Sequence, residues 1–475
     1  TFVKSMRYII SIYPALALVA AWTIFKLFEK ASLDGGKLKS IPFNWRKTLA
    51  IAVTSITLVA TLLWAFAFIS IYQKPVTRVA ASEWIYENIP AAINLVVETD
   101  DGQIFAQPVA YQNTALIAAD KPYKYQLSVD KAGQISSVFV EYVLNQSGET
   151  GPVSLITTLY HVRGGSKTVA GAGFFQSEFR GSSDAKGDPA VVVLDQPVSL
   201  EVGQMYELEL SVAEPGIFLR IGGALDLELD TGKIPLPSPI YRLTETSPYQ
   251  VNFFPRESGT LSSLSFNRVV NLSGKYEEST LTAMVMNPDD PQDVLASGTV
   301  TGDFKAQDDP RGEGATIHLN QPVTLKDNRL YTLVLTVQGG AEIGIYNSVT
   351  VLESTWDDAL PVGLHGYNQF GYWDGIYGNN LNLELYWDDN PAKLERIVSM
   401  LNRGDAIFMS SNRQWGTIPR VPERYPLTTE FYRALLGCPA SGDILKCYAE
   451  ADPGRYQGEL GYELTAVFQN APTLG

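Results

Sequence analysis

The sequence is poor in the residues from which metal and thiol sites are built. It contains two cysteines, Cys438 and Cys447, and three histidines at distant positions, His161, His318 and His365. No Cys-x-x-Cys pair and no Cys/His cluster has the spacing of a zinc site. In an oxidising compartment the two cysteines could form a disulfide, and in a reducing one they would be ordinary thiols.

Other catalytic signatures are missing as well. The sequence has no nucleophile elbow, no phosphate-cradling glycine loop and no spacing that argues for a Ser/His/Asp or Cys/His site. Acidic groups at 289–293 and 308–309 lack the twelve-residue spacing of a calcium loop, so solvated turns are the simpler interpretation. We therefore predict no metal, no cofactor and no catalytic residue from the pattern.

Basic charge is scarce after the first 80 residues. Those 80 residues contain ten Lys or Arg against Glu29 and Asp34, whereas the chain as a whole has a net charge of −15. The long remainder is therefore strongly acidic and would repel phosphates, which excludes nucleic acid as a partner.

Two apolar runs, residues 8–28 and 48–72, are long enough to span a bilayer. Trp22 and Trp64 are available for the membrane interfaces. The loop between the runs is basic, which by the positive-inside rule makes it cytoplasmic. We predict a cell-membrane protein with the lipid bilayer as a partner and with the residues after about 73 extracytoplasmic. A buried soluble hairpin is the alternative.

Residues 102–354 have no convincing helix. Alternating apolar and polar strands between Gly, Asp and Pro turns are typical of β-sandwiches. An internal repeat runs through this region at a spacing of 125 or 126 residues, which indicates two tandem domains. The matching segments are 135–138 with 261–264, 145–148 with 271–274, 193–200 with 318–325, and 206–210 with 331–335.

Helix-and-strand patterns flank the β region on both sides. A helix over 78–88 and a strand over 93–97 precede it. After it the sequence predicts a strand over 381–385, a helix from Pro391 to Gly404 capped by Asp389 or Asn390, and a strand over 406–409. A helix capped by Thr428 or Thr429 and a final strand over 461–468 complete the pattern.

The simplest fold is a multidomain membrane protein. It has two transmembrane helices with a basic loop (1–75) and a small split α/β domain (76–100 and 356–475). Two jelly-roll-like all-β sandwiches (101–235 and 236–355) are inserted in the α/β domain.

Candidate binding residues lie in the second part of the α/β domain. Arg413, Arg420 and Arg424, beside Tyr425, could hold a phosphate by bidentate hydrogen bonds or could simply fix their own loop. The aromatic run 365–377, with Tyr372 and Trp373, could stack on sugar rings or pack a domain junction. Asp388 and Asp389 could form a carboxylate pair, although a helix cap is simpler.

Two segments resemble a known family. Lys4, Arg7, Tyr8, Tyr13 and Pro14 match a K-x-x-RY-x-x-x-x-YP pattern that is common in a late membrane helix of GT-C-type glycosyltransferases, the dolichyl-phosphate-mannose-protein mannosyltransferase-like group. The tail from SSNRQWGTIPRVPERYPLTTEFYRALL to GELGYELTAVFQNAP is similar to the extracytoplasmic C-terminal domain of relatives from green non-sulfur bacteria. The resemblance covers residues 1–100 and about 360–475.

The resemblance implies transfer of a sugar from a lipid-phosphate carrier to an acceptor outside the membrane. The catalytic carboxylate of that family lies in an outer loop upstream of these residues, and the sequence opens at Thr1 like the tail of a longer membrane protein. We therefore expect the C-terminal part of such an enzyme, with outer domains that position acceptor or glycan, and polyprenyl-phosphate sugar as a partner. The alternative is a non-catalytic anchored subunit whose sandwiches dock to a larger complex or a cell-surface layer.

Overall fold

The computed structural model describes residues 12–33, 45–129, 132–182, 184–230, 232–353, 360–367, 376–377 and 381–470. The chain divides into two compact units. The terminal unit comprises Thr1–Ala81 and Ser411–Gly475, and the central unit comprises Ser82–Ser410. The described residues are mostly β-sheet, in sandwich-like layers, as the sequence predicts.

The terminal unit begins with two apolar helices, α1 (Tyr13–Leu33) and α2 (Trp45–Tyr72), which pack against each other. Their apolar side chains face outwards, as Leu58 and Trp64 do with 59% and 67% exposure. The stretch Ile51–Asn88, which includes most of α2, is long and apolar enough to cross a membrane. The apolar part of α1, Pro14–Lys26, is shorter. The structure thus supports one span by length and composition, and the second span stays a prediction.

The second part of the terminal unit is formed by short helices. A 3₁₀ turn (Ile418–Arg420) precedes α5 (Pro426–Leu436) and α6 (Ile444–Ala449). The predicted Thr428 or Thr429 cap is wrong, because α5 begins at Pro426 and the Thr429 hydroxyl donates to the carbonyl of Tyr425 instead. The predicted strand over 461–468 is also wrong, since 462–470 has no regular secondary structure and pairs with no strand.

The central unit begins within α3 (Thr77–Asn88) and contains twenty-one strands among its described residues. The strands are β1 (Ile93–Thr99), β2 (Ile104–Val109), β3 (Thr114–Ile117), β4 (Tyr123–Ser128), β5 (Gly133–Asn145), β6 (Val153–Arg163), β7 (Ser166–Ser177), β8 (Asp188–Leu200), β9 (Met205–Val212), β10 (Leu219–Leu229), β11 (Gly232–Leu236), β12 (Tyr249–Phe253), β13 (Gly259–Asn271), β14 (Ser279–Asn287), β15 (Asp290–Gly302), β16 (Glu313–Leu325), β17 (Tyr331–Gln338), β18 (Ile343–Tyr346), β19 (Thr350–Leu352), β20 (Leu381–Asn382) and β21 (Ala406–Phe408).

The first sandwich is built from β3–β11. One layer has the order β11-β10-β5-β8 with β3 also on β10, and the other has the order β7-β6-β9-β4. The layers join where Gly173 pairs with Leu194. A side chain at Gly173 would meet the Val193 carbonyl at 2.1 Å, so the close approach of the two strands requires glycine here. The inward residues of both layers form one apolar core.

The second sandwich repeats the first in its hydrogen bonds. Its layers are β16-β13-β1-β2, with β18 on β13, and β12-β17-β14-β15. The backbone N–H of Glu201 donates to the Tyr206 hydroxyl at 3.0 Å, and that of Lys326 donates to Tyr331 at 3.1 Å. Both tyrosines are buried next to the turn before their strands. The sequence repeat is therefore a repeat of local structure.

The second sandwich contains β1, a strand that precedes the whole first sandwich in the chain. Residues 93–97 were predicted for the split α/β domain, and this is wrong, because β1 pairs antiparallel with β13. Ile93, Leu95 and Val97 alternate along β1 and are fully buried in the core of the second sandwich. One edge of β13 thus gains a hydrogen-bonding partner that the segment 236–355 alone does not provide.

The α/β part is a three-stranded parallel sheet in the order β20-β19-β21 with helix α4 (Pro391–Arg403). Its strand β19 lies within the segment predicted for the second sandwich, so that boundary falls before residue 350. Ile85 and Tyr86 of α3 share a core with Leu352 and Phe408, which places the helix before the sandwiches beside the sheet after them.

Helix α4 matches the predicted bounds. The Asn390 side chain accepts from the Lys393 backbone N–H, Pro391 is the first helical residue, and the Gly404 N–H bonds to the last carbonyls. On this helix Ile397 is buried, while Leu394 and Val398 are 40% and 46% exposed. The predicted strand over 381–385 is shorter, because Glu384 adopts a left-handed conformation with φ of 51°.

Candidate ligand-binding groove

The predicted arginine loop lies in the terminal unit. Arg413, Arg420 and Arg424 are all exposed, and the Arg424 guanidinium lies 5.2 Å from the centre of the Tyr425 ring. Tyr425 is buried at the start of α5 and is not a surface residue. The loop is fixed by its backbone, as in the hydrogen bonds from the N–H groups of Arg420 and Arg424. Phosphate binding by these arginines stays a prediction.

Cys438 and Cys447 form a disulfide with a Cα–Cα distance of 6.0 Å. Both cysteines are buried and pack with Leu436, Tyr448 and Leu464. The bond closes a nine-residue loop between α5 and α6 and covers the small core of this part of the chain. It is the kind of bond that persists in an oxidising compartment.

The aromatic run 365–377 is described in part. Tyr367 stacks on Tyr86 of α3 with ring centres 4.2 Å apart, and the Tyr377 hydroxyl donates to backbone carbonyls at the end of α3. Burial raises the pKa of Tyr367 to about 12. These two tyrosines therefore pack a junction. Tyr372 and Trp373 lie outside the described residues.

A groove in the central unit carries exposed aromatic side chains that the sequence interpretation left aside. It has a volume of about 530 Å³ and lies where β20 turns into α4. Trp387 and Tyr386 are 59% and 40% exposed. The groove is lined by Tyr386, Trp387, Asp388, Asn390, Ala392, Lys393 and Arg396.

A buried lysine fixes the loop that carries the aromatic pair. The Lys393 ammonium donates to the carbonyls of Leu385 and Trp387 at 2.6 and 3.1 Å and to the carboxylate of Asp389 at 3.1 Å. The side chains of Lys393 and Asp389 are only 3% and 2% exposed. Because all three ammonium protons find acceptors, the cost of burying the charge is offset locally. Burial nevertheless lowers the pKa of Lys393.

The guanidinium of Arg396 packs on one face of the Trp387 ring. It lies 4.4 Å from the centre of the ring and donates to the Leu383 carbonyl at 2.8 Å. The cation thus covers one face of the indole and ties it to the turn at Glu384. Burial lowers the pKa of Arg396, which Glu384 partly opposes.

The sequence contains a signal for this groove that the sequence interpretation did not use. Asp388 and Asp389 were interpreted as a cap or a carboxylate pair, but Asn390 is the cap and Asp389 binds Lys393. Apolar and polar residues alternate up to Leu385, and the two consecutive aromatic residues Tyr386 and Trp387 end this alternation just before the helix cap. Two large rings at the end of a strand pattern indicate that they lie on a turn, and this is the signal for the groove.

The acidic turn at Asp309 binds arginine, whereas in the turn at 289–293 Asp293 accepts a hydrogen bond from the Asn287 side chain. Asp309 pairs with Arg311 at 2.7 Å and with Arg268 at 3.6 Å, and these cations lower the pKa of its carboxyl, although burial raises it. Arg311 also reaches Asp405 at 2.6 Å. Within the described ranges no group of three or more His, Cys, Asp or Glu side chains could hold a metal ion.

Comparison with known proteins identifies no family. No family profile matches the chain, and no curated protein matches it. It is similar in part to the CocE/NonD family hydrolase of Staphylococcus aureus at 8% identity and TM-score 0.19, over 32% of this chain and 37% of the hydrolase. The dimeric latent PorU of Porphyromonas gingivalis matches at 10% identity and TM-score 0.14, over 52% of this chain and 23% of PorU.

A third solved structure covers a tandem of domains. The CBM22-1–CBM22-2 tandem of Xyn10C from Paenibacillus barcinonensis matches at 12% identity and TM-score 0.17, over 53% of this chain and 91% of the tandem. The chain spans well under two thirds of the hydrolase and of PorU. At these TM-scores the similarities do not bear on function.

Proposed function

We propose that this chain is the membrane-anchored, extracytoplasmic portion of a lipid-phosphate-sugar-dependent glycosyltransferase, whose outer domains position acceptor or glycan. The observation that carries the membrane anchorage in this proposal is the exposure of the apolar side chains of α2, which only a bilayer or a partner helix would cover. The glycosyltransferase part of the proposal is supported by the sequence resemblance of the Lys4–Pro14 pattern and of the C-terminal tail to GT-C-type glycosyltransferases.

The proposed topology has two membrane helices, a cytoplasmic basic loop and everything after about residue 73 outside. The Cys438–Cys447 disulfide supports an outer location because such bonds persist in oxidising compartments. On this arrangement α3 leads from the membrane directly into the central unit. Sugar transfer itself would be catalysed by a carboxylate on a segment upstream of Thr1.

The alternative is a non-catalytic anchored subunit that docks its sandwiches to a larger complex. It is favoured by the two tandem sandwiches, which share a layered strand order and the same tyrosine hydrogen bond and so could present repeated docking surfaces. The two functions share the same anchor and differ only in the upstream chain and in activity.

The test is the sequence of the gene upstream of Thr1, followed by an activity assay. Further membrane spans with an acidic first outer loop, and transfer from a polyprenyl-phosphate sugar by membranes that contain the whole product, support the transferase. A start codon or signal peptide directly before Thr1 overturns it in favour of the subunit. A variant that lacks the central unit then shows whether the outer domains are needed for acceptor use.

A further inference from the structure

We infer that the groove lined by Tyr386, Trp387, Asp388, Asn390 and Arg396 binds a neutral saccharide. The inference rests on the proposed role of the outer domains in positioning glycan, and it names the surface that makes the contact. Four features of the groove carry it: the exposed rings, their rigid support, the balance of charge and the polar rim.

The exposed rings match the apolar face of a pyranose. Trp387 is 59% exposed while Arg396 covers one face of its indole at 4.4 Å, so the exposed area belongs to the remaining face and edges. Tyr386 adds a second ring, 40% exposed, directly beside it in the chain. The C–H groups of a sugar carry partial positive charge and pack on the negative face of an aromatic ring.

The rings are held before any ligand arrives. Leu383 and Leu385 are fully buried and anchor the turn, and Lys393 binds the carbonyls on either side of Tyr386. Glu384 takes a left-handed backbone conformation that asparagine or glycine adopts more readily. A loop that is already fixed loses little conformational entropy when a ligand binds. This matters for a saccharide, because its binding free energy is small and a large entropy cost would cancel it.

The charge of the groove favours a neutral ligand over a phosphate or an acidic sugar. Lys393 is neutralised by Asp389. The Arg396 guanidinium lies within the electrostatic reach of the Glu384 carboxylate, and the exposed Asp388 adds a further negative charge to the lining. A groove with no net positive charge does not select an anion.

The rim offers the hydrogen bonds that sugar hydroxyls need. Asp388 provides acceptors, and Asn390, whose side-chain oxygen caps α4, provides amide N–H donors. The volume of about 530 Å³ lies in the usual range for small-ligand sites, roughly 300–1,000 Å³.

A lipid headgroup surface is the competing occupant, because exposed Trp and Tyr also occur at membrane interfaces. The exposed Asp388 carboxylate argues against it, since anionic lipids repel a negative rim. The hydrogen-bonding groups of Asp388 and Asn390 on the rim also suit a small polar ligand better than a bilayer.

The test is binding of the full chain, in detergent or nanodiscs, to an array of neutral hexose and N-acetylhexosamine oligosaccharides. The hit is titrated by isothermal titration calorimetry, whose signal does not depend on Trp387. Trp387→Ala raises Kd by at least about tenfold, the loss typical of a central contact. Trp387→Phe keeps most of the binding because it keeps a ring. Phe174→Ala, which removes a 64% exposed ring from the first sandwich, leaves Kd unchanged.

Three results overturn the inference. They are absence of binding to every oligosaccharide, binding that Trp387→Ala leaves intact, and a Trp387→Ala effect confined to partition into anionic vesicles. Circular dichroism of each variant checks that the fold is retained. Membrane insertion and the upstream sequence test the proposed function separately, so the saccharide site can fail while the proposed function stands.

Discussion

Ile93 lies directly opposite Phe266 in an antiparallel strand pair, although the whole first sandwich separates them in the chain. In the first sandwich the equivalent position is filled by Leu225 opposite Val140. The register continues in step, since Leu95 faces Leu264 where Leu227 faces Val138. Strand β1 therefore takes the place in the second sandwich that the second half of β10 has in the first.

This exchange makes the second sandwich depend on a strand that lies before the first sandwich in the chain. In the first sandwich the single strand β10 pairs along β5 from Asn145 to Ile135. In the second sandwich β18 covers only the Arg268–Asn271 end of β13, and β1 covers the rest. The second sandwich is thus complete only when β1, which precedes the first sandwich in the chain, is in place.

Shortening Leu95 in β1 destabilises the second sandwich. Leu95→Ala leaves a cavity at a fully buried position, so the free energy of unfolding falls by about 2–5 kcal/mol. Ile104→Ala, in the neighbouring strand but 70% exposed, changes it by less than about 0.5 kcal/mol. Denaturant unfolding followed by circular dichroism measures both. Equal effects for the two variants would show that β1 is not part of the core.

Removing the buried ammonium of Lys393 destabilises the groove loop. Lys393→Met leaves the Asp389 carboxylate buried without its cation, at a cost of about 3–5 kcal/mol. The double variant Lys393→Met/Asp389→Asn recovers the part of the loss that comes from the unpaired carboxylate, while the carbonyls of Leu385 and Trp387 still lack the Lys393 donor. Denaturant unfolding of the central unit is the measurement. A double variant as unstable as the single one contradicts the ion-pair account.

Asp226 gives the central unit a pH dependence that one substitution isolates. Burial raises the pKa of its carboxyl, which Arg403 and Lys233 oppose and Glu141 and Glu228 reinforce. Since the folded pKa lies above the ordinary value of 3.8, the stability contribution is present at low pH and is lost as pH rises through the folded pKa.

The test for Asp226 compares unfolding free energies across pH. Relative to wild type, Asp226→Asn gains stability as pH rises from about 3.8 through the raised pKa, and the difference is constant above it. Denaturation curves at pH 3.5 to 8 provide the comparison. A constant difference over the whole range would mean that the carboxyl titrates normally.

Reducing the Cys438–Cys447 bond loosens the α5–α6 region. Opening a nine-residue loop costs about 2–3 kcal/mol of unfolding free energy through the entropy of the unfolded chain. Hydrogen exchange of α5 with and without reductant detects the change. Cys438→Ser/Cys447→Ser is the matched control, and reductant leaves its exchange unchanged. If reductant has no effect on the wild type, the bond does not stabilise this region.

The sequence predicted most elements whose signal is local. The cap at Asn390, Pro391 at the helix start and Gly404 at its end fixed α4, and the repeat located two sandwiches. The partner of β1 was missed, because strand pairing between distant segments leaves no mark in the strand itself. The strand predicted over 461–468 failed for the same reason, since an alternating pattern forms a strand only when a neighbouring edge is present.

The candidate site was predicted less well than the fold. Arg420 and Arg424 were predicted as binding residues only because they are arginines in one loop. The structure shows that they are exposed, and exposure alone does not make a phosphate site. The Tyr386–Trp387 groove depends on Lys393 reaching back to two carbonyls, and that contact becomes visible only once the turn at Glu384 is known.

Membrane topology tests the central claim most directly. The two native cysteines are bonded to each other, so an introduced cysteine can be labelled selectively with a membrane-impermeant maleimide. Thr168→Cys places the probe on an exposed strand of the first sandwich, and Lys39→Cys places it in the basic loop. On intact spheroplasts the account predicts labelling of Thr168→Cys at once and of Lys39→Cys only after permeabilisation. Labelling of both, of neither, or in the opposite order would contradict an extracytoplasmic domain anchored by two membrane helices.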